Sequence, residues 1–358
     1  VNGTTAPFLA FEVTNKDHFT ADTWSVTMEP WQTPAPFTQS QGFGMRFWDT
    51  APTGTIVELL IGLLDPTADV SAEPPNPQSL VLGQVDDVTV EPLSGNLVIS
   101  GRDLSAVLID TKISNKWPTR VSSDIVTTLA QQAGLTPQVT PTTTPAGKYY
   151  DSEYVQLTRT MPAWDLIVFL AQNEGFAAYV TGQTLYFGPS PAPSIGLAIN
   201  VSQSATGLVT ANAKRLKLTR SLTLGQDISV TVISFDSWSG KAVKAVATRA
   251  GRYAAASSAS RAAETTQSYV YRKPGLTQQQ AQQVANNLLA EITRFEREIS
   301  FGVEGSPFFT TAQQVQLSGT GASWDAIYYP KRVTRSFSFK GGFAMSVEAK
   351  NHPTVGQV

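Results

Sequence analysis

Imidazoles are the side chains best suited to proton transfer near neutral pH, and this chain has two, His18 and His352. Each lies near one end of the sequence in a polar context, NKDHFT and KNHPT, and reads as a solvent-exposed position. Paired carboxylates are the next candidates, because glycoside hydrolysis asks only for two of them at a suitable separation. The sequence offers Asp86 with Asp87, Asp151 with Glu153, and Glu296 with Glu298. Neighbours on a strand point to opposite faces, so Asp86 and Asp87 do not converge on one bond. Glu296 and Glu298 stand with Arg294 and Arg297 in RFERE, which reads as an ion-paired helix end.

The basic phrases KRLKLTR and KRVTR could touch phosphates. In the first, Arg215 and Lys217 share one strand face and Leu216 and Leu218 the other; the second starts at Lys331. Neither is interleaved with the aromatics of a single-strand binding groove, so both read as solvated faces or subunit contacts. The sequence has no G-x-S-x-G, H-E-x-x-H, P-loop or dinucleotide-binding phrase. It has no cysteine, which removes disulfides, thiolate metal sites and a cysteine nucleophile together. No catalytic, cofactor-binding or metal-ligating residue is assigned, and no cofactor is expected.

These residues must be positioned by a chain of 358 residues, long enough for two or three domains with cores of their own. Only 15% of its residues are charged, against about 25% in ordinary soluble proteins. Such a surface is expected to be partly buried against partner subunits. The net charge of −2 gives no long-range pull toward nucleic acid or anionic lipid. The first residues, VNGTTAPFLAFEV, lack a basic region followed by an apolar one, and the missing initial Met suggests either processing or the choice of numbering. The most apolar run, IVELLIGLL, is about half a membrane span long and contains Glu58, so no stable membrane insertion is expected.

From Phe8 to about Ser100 short β-rich runs alternate with turn residues: FLAFEV, TWSVTM, FGMRFW, IVELLIGLL, SLVLGQVDDVTV and NLVIS. The alternation in VDDVTVEPLSGNLVIS marks a hairpin turning at SGN. The loop DPTADVSAEPPNPQS has four prolines and must project.

After Gly101 the apolar period lengthens toward that of a helix. RDLSAVLID opens the change, with Leu104, Val107 and Leu108 on one face. Then DIVTTLAQQAGL, from Asp124, is echoed 41 residues later by DLIVFLAQNEGF, from Asp165. Ser122 or Ser123 is expected to cap the first helix, and Thr160 with Pro162 to open the second. Gly134 and Gly175 stop them. The pair reads as a duplicated helix-to-strand unit, its copies separated by the Pro/Thr-rich loop TPQVTPTTTPAGK. The second helix, apolar nearly all round, is expected to lie between layers. FAAYV and TLYFG follow as a hairpin.

Beyond GPSPAPS strands return in RLKLTRSL, DISVTVISF and, after the turn DSWSG, KAVKAVAT. AGRYAAASSASRAAETTQS reads as a long exposed excursion. A helix opens at Thr277, with Gln280 at capping-box spacing. EISFGV, QVQLSG, KRVTRSFSF and FAMSVEAKN close the chain. The expected organisation is mainly β with α+β: an N-terminal β-barrel over 1–100, an α/β module over 101–190, and a second β-barrel with a docked helix over 191–358.

In order and spacing these phrases resemble the baseplate hub proteins of contractile phage tails, the late control protein D group. The segments that carry the likeness are VLGQVDDVTVEPLSGNLVISGRDLSAVLID, SSDIVTTLAQQAGL, MPAWDLIVFLAQNEGFAAYVTGQTLYFGP, LKLTRSLTLGQDISVTVISFD and the final strand series from REISFGV. WDLIVFLAQNEGF also resembles a helix in the hub-like part of type VI secretion spike proteins. The resemblance implies two tube-like barrels, a homotrimer and a structural role. That role is an adaptor joining a sixfold tail tube to a threefold central spike on a separate chain, touching other baseplate proteins and passively lining a DNA channel. It implies a place in the virion tail baseplate, after assembly in the host cytoplasm. The alternative is a glycan-binding or cell-wall-degrading baseplate module.

Overall fold

The computed structural model describes residues 1–3, 6–29, 45–62, 77–91, 93, 95–114, 117, 120–143, 161–192, 194–221, 228–236, 241–249, 267–273, 276–293, 296–321 and 323–351. Most of the Pro-rich loop after Asp65, the DSWSG turn after Asp236 and nearly all of the AGRYAAASS excursion lie outside them.

The N-terminal strands are β1 (Ala10–Lys16) and β2 (Thr23–Met28). After a short helix, α1 (Met45–Asp49), come β3 (Ile56–Ile61), β4 (Gln78–Glu91) and β5 (Asn96–Asp103). The module contains α2 (Ser105–Asp110), β6 (Lys112–Ile113), α3 (Ser122–Gln132) and β7 (Thr136–Val139). It continues through β8 (Met161–Pro162), α4 (Ala163–Glu174), β9 (Ala177–Thr181) and β10 (Thr184–Gly188). The C-terminal region begins with β11 (Ile195–Gln203), β12 (Val209–Ala211), β13 (Lys214–Arg220), β14 (Ile228–Asp236), β15 (Lys241–Arg249) and β16 (Gln267–Arg272). It ends with α5 (Gln278–Thr293), β17 (Arg297–Glu304), β18 (Gln314–Ser318), β19 (Ala326–Ser338) and β20 (Gly342–Lys350).

The chain is mainly β, and most of its strand pairs are antiparallel. A 12-stranded sheet runs β12-β11-β18-β19-β1-β2-β5-β4-β3, with β20, β17 and β13 branching from β19. Among the described residues this path is open at both ends. Its centre joins the chain ends: β1 pairs with β19 along its whole length, from Ala10 opposite Ser338 to Lys16 opposite Arg332. The N- and C-terminal β regions therefore share one sheet.

Among the described residues packing divides into four cores. Val13, Trp24, Val26, Leu97 and Ile99 centre the N-terminal one, which Phe337 and Phe343 of the last hairpin also enter. There Trp24 lies over Gly83 and Gly101; a Cβ on Gly83 would come within 2.3 Å of the indole nitrogen, and one on Gly101 within 1.9 Å of the Gln84 carbonyl. Only glycine allows that approach. Tyr328, Phe301, Val333 and Val347 centre the C-terminal core. In the fourth, Ala281, Val284 and Ala285 of α5 meet Val232, Ala245 and Ala247 of the β15-β14-β16 sheet. The expected capping box opens α5: Gln280 Oε1 accepts from the Thr277 amide at 3.0 Å, and the Gln280 amide donates to the Thr277 hydroxyl at 3.4 Å.

The module core gathers Ile125, Val126 and Leu129 of α3 with Trp164, Leu166, Ile167 and Leu170 of α4. Both copies of the repeated phrase are helices ending at left-handed glycines, Gly134 at φ 73° and Gly175 at φ 72°. Each leads into a strand: β7 lies parallel to β10, and β9 antiparallel to it. α4 is buried along most of its surface, with Phe169 half-buried beneath the Lys273 ammonium, 5.7 Å from the ring centre.

Four expectations are corrected. The MRFW of FGMRFW is not a strand; Met45–Asp49 is helical, Phe47 and Trp48 pack into the N-terminal core, and Phe43 and Gly44 lie outside the described residues. TPQV is strand β7 rather than loop, because an open edge of β10 receives it. Neither serine caps α3: its N-cap is Val121, and the Ser122 hydroxyl donates to Glu174 at the end of α4 instead, at 2.7 Å. Pro162 is the N-cap of α4 rather than its first residue, and Thr160 lies outside the described residues.

Candidate functional site

The polar residues gather where sheet, module and C-terminal strands meet. The β1–β2 turn, KDHFTAD, inserts into this seam. Phe19 adopts φ 78°, a costly backbone state for a bulky residue. Its surroundings hold it there: its amide donates to the Ala178 carbonyl at 3.1 Å and its carbonyl accepts from the Trp164 indole at 3.0 Å. Beside it His18 is buried and stacks on Tyr179, ring centres 5.3 Å apart. Burial, with a smaller contribution from Tyr186, pushes the Tyr179 phenol up to about 12.

A cavity of about 410 Å³ opens here, lined by residues of all three parts, among them His18, Asp22, Asp103, Tyr179, Thr310 and Arg335. Asp22 takes hydrogen bonds from Asn15 Nδ2 at 2.6 Å and the Lys16 amide at 2.8 Å, and its own amide donates to Asp103 Oδ2 at 3.2 Å. Asp103 Oδ1 accepts from the Ser105 amide at 3.0 Å and from the Ser105 hydroxyl. Burial, reinforced by the charge of Asp103, raises the Asp22 carboxyl to about 7 despite the Asn15 and Lys16 hydrogen bonds. Burial also raises Asp103.

Arg335, buried on β19, donates to the Ser306 carbonyl at 2.9 Å, to Asn15 Oδ1 at 2.5 Å and to the Phe309 carbonyl. Desolvation pulls it down to about 10, which leaves it charged at neutral pH. Raised carboxyls beside a cavity are a mark of catalytic sites. Here, however, both oxygens of each carboxylate accept from the chain's own donors. The cluster therefore ties the β1–β2 turn to β5, α2 and the loop before β18.

Buried charges are also paired along the C-terminal strands. Fully buried Lys350 pairs with Asp17, closing β20 onto the same turn. Fully buried Glu296 lies between Arg249 and Arg220, the latter at 3.8 Å.

The sequence candidates scatter. His18 is not solvent-exposed: the β9–β10 hairpin covers it. His352, Asp151, Glu153 and Arg294 lie outside the described residues. Asp86 binds Arg102 at 2.6 Å, whereas Asp87 is exposed beyond a bulge in β4. Glu296 is ion-paired as expected, though to Arg220 and Arg249 from other strands, while Glu298 meets Lys331 at 3.1 Å. Arg297 lies over Trp324, 5.5 Å from the ring centre. Arg215 and Lys217 are exposed, with Leu216 and Leu218 turned toward the C-terminal core. KRVTR is only partly a solvated face, since Arg335 at its end is buried. No sequence signal pointed to Asp22, Asp103 or Arg335 as a cluster, because the three are distant in the chain.

Among the described residues no three His, Cys, Asp or Glu side chains form a group that could hold a metal, and no helix is long and apolar enough to cross a membrane.

No family model matches the chain, and no curated protein matches it in sequence. Solved structures do. A tail protein from Neisseria meningitidis MC58 superposes with a TM-score of 0.66 at 14% identity, over 98% of this chain and 94% of that one. The fold is that of phage tail proteins. The same fold appears in the 43 kDa tail protein of prophage MuSo2 from Shewanella oneidensis, with a TM-score of 0.62 at 13% identity over 97% of this chain and 96% of the other. It appears again in the E. coli c3393 protein, described as a type VI secretion component with structural similarity to the T4 tail proteins gp27 and gp5. That likeness has a TM-score of 0.51 at 9% identity and spans 98% of this chain and 76% of that one. The superpositions on the two tail proteins thus span at least 97% of this chain.

Proposed function

We propose that this protein is a structural hub of a contractile phage tail baseplate, a homotrimeric adaptor between a tail tube and a central spike, with DNA passing through its lumen. The observation that carries the reading is that the superpositions on two tail proteins, one of them from a prophage, cover 94–98% of each chain. The domain reading accompanies it: 1–100 and 191–358 as the two tube-like units and 101–190 as the α/β module between them. Three copies of a chain with two such units would present six similar positions, which matches a threefold spike to a sixfold tube. The low charge supports the same reading, since permanent interfaces exclude charge from their centres. The buried clusters around Asp22 and Glu296 act within it as internal ties and transform no substrate.

The test is the mass of the purified chain by light scattering, alone and with its tube and spike proteins, together with imaging of labelled virions. Three copies at the tail tip are expected. A chain that stays monomeric with both partners and is absent from the tail tip overturns the reading.

A further inference from the structure

The three-stranded β15-β14-β16 sheet has two unlike faces. Residues 230, 232 and 234 of β14, with 245 and 247 of β15, are buried on the side that α5 covers. The alternate residues form the other side, and no described element packs on it. There Ile233 is 37% exposed, Phe235 54%, Val246 42% and Val270 58%. Registers of Thr231 opposite Val246 and Val270, and of Ile233 opposite Lys244 and Arg272, place these side chains on one surface. These four apolar side chains share the face with Thr231, Ser229, Thr248 and Ser268, and its charged members are cations. Among the described residues, neither Lys244 nor Arg272 has a carboxylate within salt-bridge distance.

The complement lies in the other, 12-stranded sheet. β3 covers β4 only as far as Gln84, so from Val85 onward the β4–β5 hairpin runs past its neighbour. This arm carries exposed Asp87, Val88 (37%) and Glu91, and at its tip stands a fully exposed leucine, Leu93. An apolar tip flanked by acids is the counterpart of apolar residues flanked by bases.

We infer that the β4–β5 hairpin of one copy docks on the open face of the β15-β14-β16 sheet of the next copy, with Leu93 against Val246 and Val270 and with Asp87 and Glu91 toward Lys244 and Arg272. The two surfaces are different, so the contact is head-to-tail; repeated with a rotation that closes, it builds a ring, and with one that does not, an open filament. This rests on the trimeric reading and supplies the contact that would build it.

The absence of native cysteines makes the test direct. Leu93→Cys chains are mixed with Val246→Cys chains and oxidised mildly, so that any disulfide joins two copies. A heterodimer is expected from the mixture, with little homodimer from either variant alone. Charge reversal adds a second arm: Lys244→Glu with Arg272→Glu weakens self-association at least tenfold, and adding Asp87→Lys with Glu91→Lys restores it. A trimer by light scattering that forms no 93–246 disulfide and ignores both reversals overturns the contact and spares the trimer. A folded chain that stays monomeric, alone and with tube and spike, overturns both.

Discussion

Lys350 is fully buried, and an ammonium in that position persists only with a compensating charge. Asp17 supplies it from the β1–β2 turn. Asp17→Asn should therefore cost about 3–5 kcal/mol in denaturant unfolding, whereas Asp17→Asn combined with Lys350→Met should recover most of that loss. Equal destabilisation by the single and double variants would show that the pair matters for its shape and not for its charge. Asp22 makes the complementary prediction for pH. Its folded carboxyl titrates near 7, above the usual carboxylate range. The folded state therefore binds the proton more tightly than the unfolded chain, and the resulting stability is fully present below about pH 4. It is lost as pH rises toward 7, by an amount on the order of a few kcal/mol. Carbon NMR of the carboxyl should give a midpoint near 7. Asp103→Asn should lower that midpoint by removing a neighbouring charge; an unmoved midpoint would assign the whole shift to burial. Little of this cluster was legible in the sequence. NKDHFTAD has the composition of an exposed turn, and what buries it is a hairpin some 160 residues away.

The repeated phrase was legible as two helices with glycine stops, because periodicity and a left-handed terminus are local properties. Their unequal burial was legible too, since α4 carries apolar residues on nearly every side. What periodicity could not show is the neighbour beyond each stop. A side chain at Gly134 would meet nothing within 4 Å, whereas one at Gly175 would lie 3.6 Å from the Asn287 amide nitrogen on α5. Both glycines have positive φ, so valine at either is strained. At Gly175 the Cβ alone makes an ordinary contact, but the methyls of Gly175→Val add bulk beside the C-terminal helix, so it should lower soluble, assembled protein more than Gly134→Val. Equal yields from the two variants would refute that ranking. Elements whose form depends on context were read wrongly or missed. FGMRFW has strand-like alternation, but its MRFW forms a helix against the N-terminal core. TPQV, β11 and β16 are strands because parallel partners receive them. A capping box and a tight hairpin carry their own instructions, whereas a parallel strand takes its identity from an edge elsewhere in the chain.

At the scale of the whole molecule, the decisive pairing is β1 with β19, which joins residues more than 300 positions apart and places the first strand at the centre of the large sheet. A division at residues 100 and 190 follows the changes of periodicity along the chain, but the hydrogen bonds do not follow it. Without β1, the C-terminal region would present β19 as a bare edge, and long bare edges invite aggregation. Phe337 and Phe343 would also lose Phe11, whose ring stacks on Phe337 at 5.9 Å between centres. A fragment spanning 191–358 should consequently express as aggregate. A peptide covering Ala10–Lys16 with its flanking residues should restore solubility by completing the sheet, as should coexpression of the 1–190 fragment. Hydrogen exchange in the complemented fragment should show the β19 amides facing β1 protected to the level of the intact chain. A soluble, cooperatively folding 191–358 fragment with β19 unprotected would mean that the C-terminal half is an autonomous unit and that the shared sheet forms only when two finished domains dock.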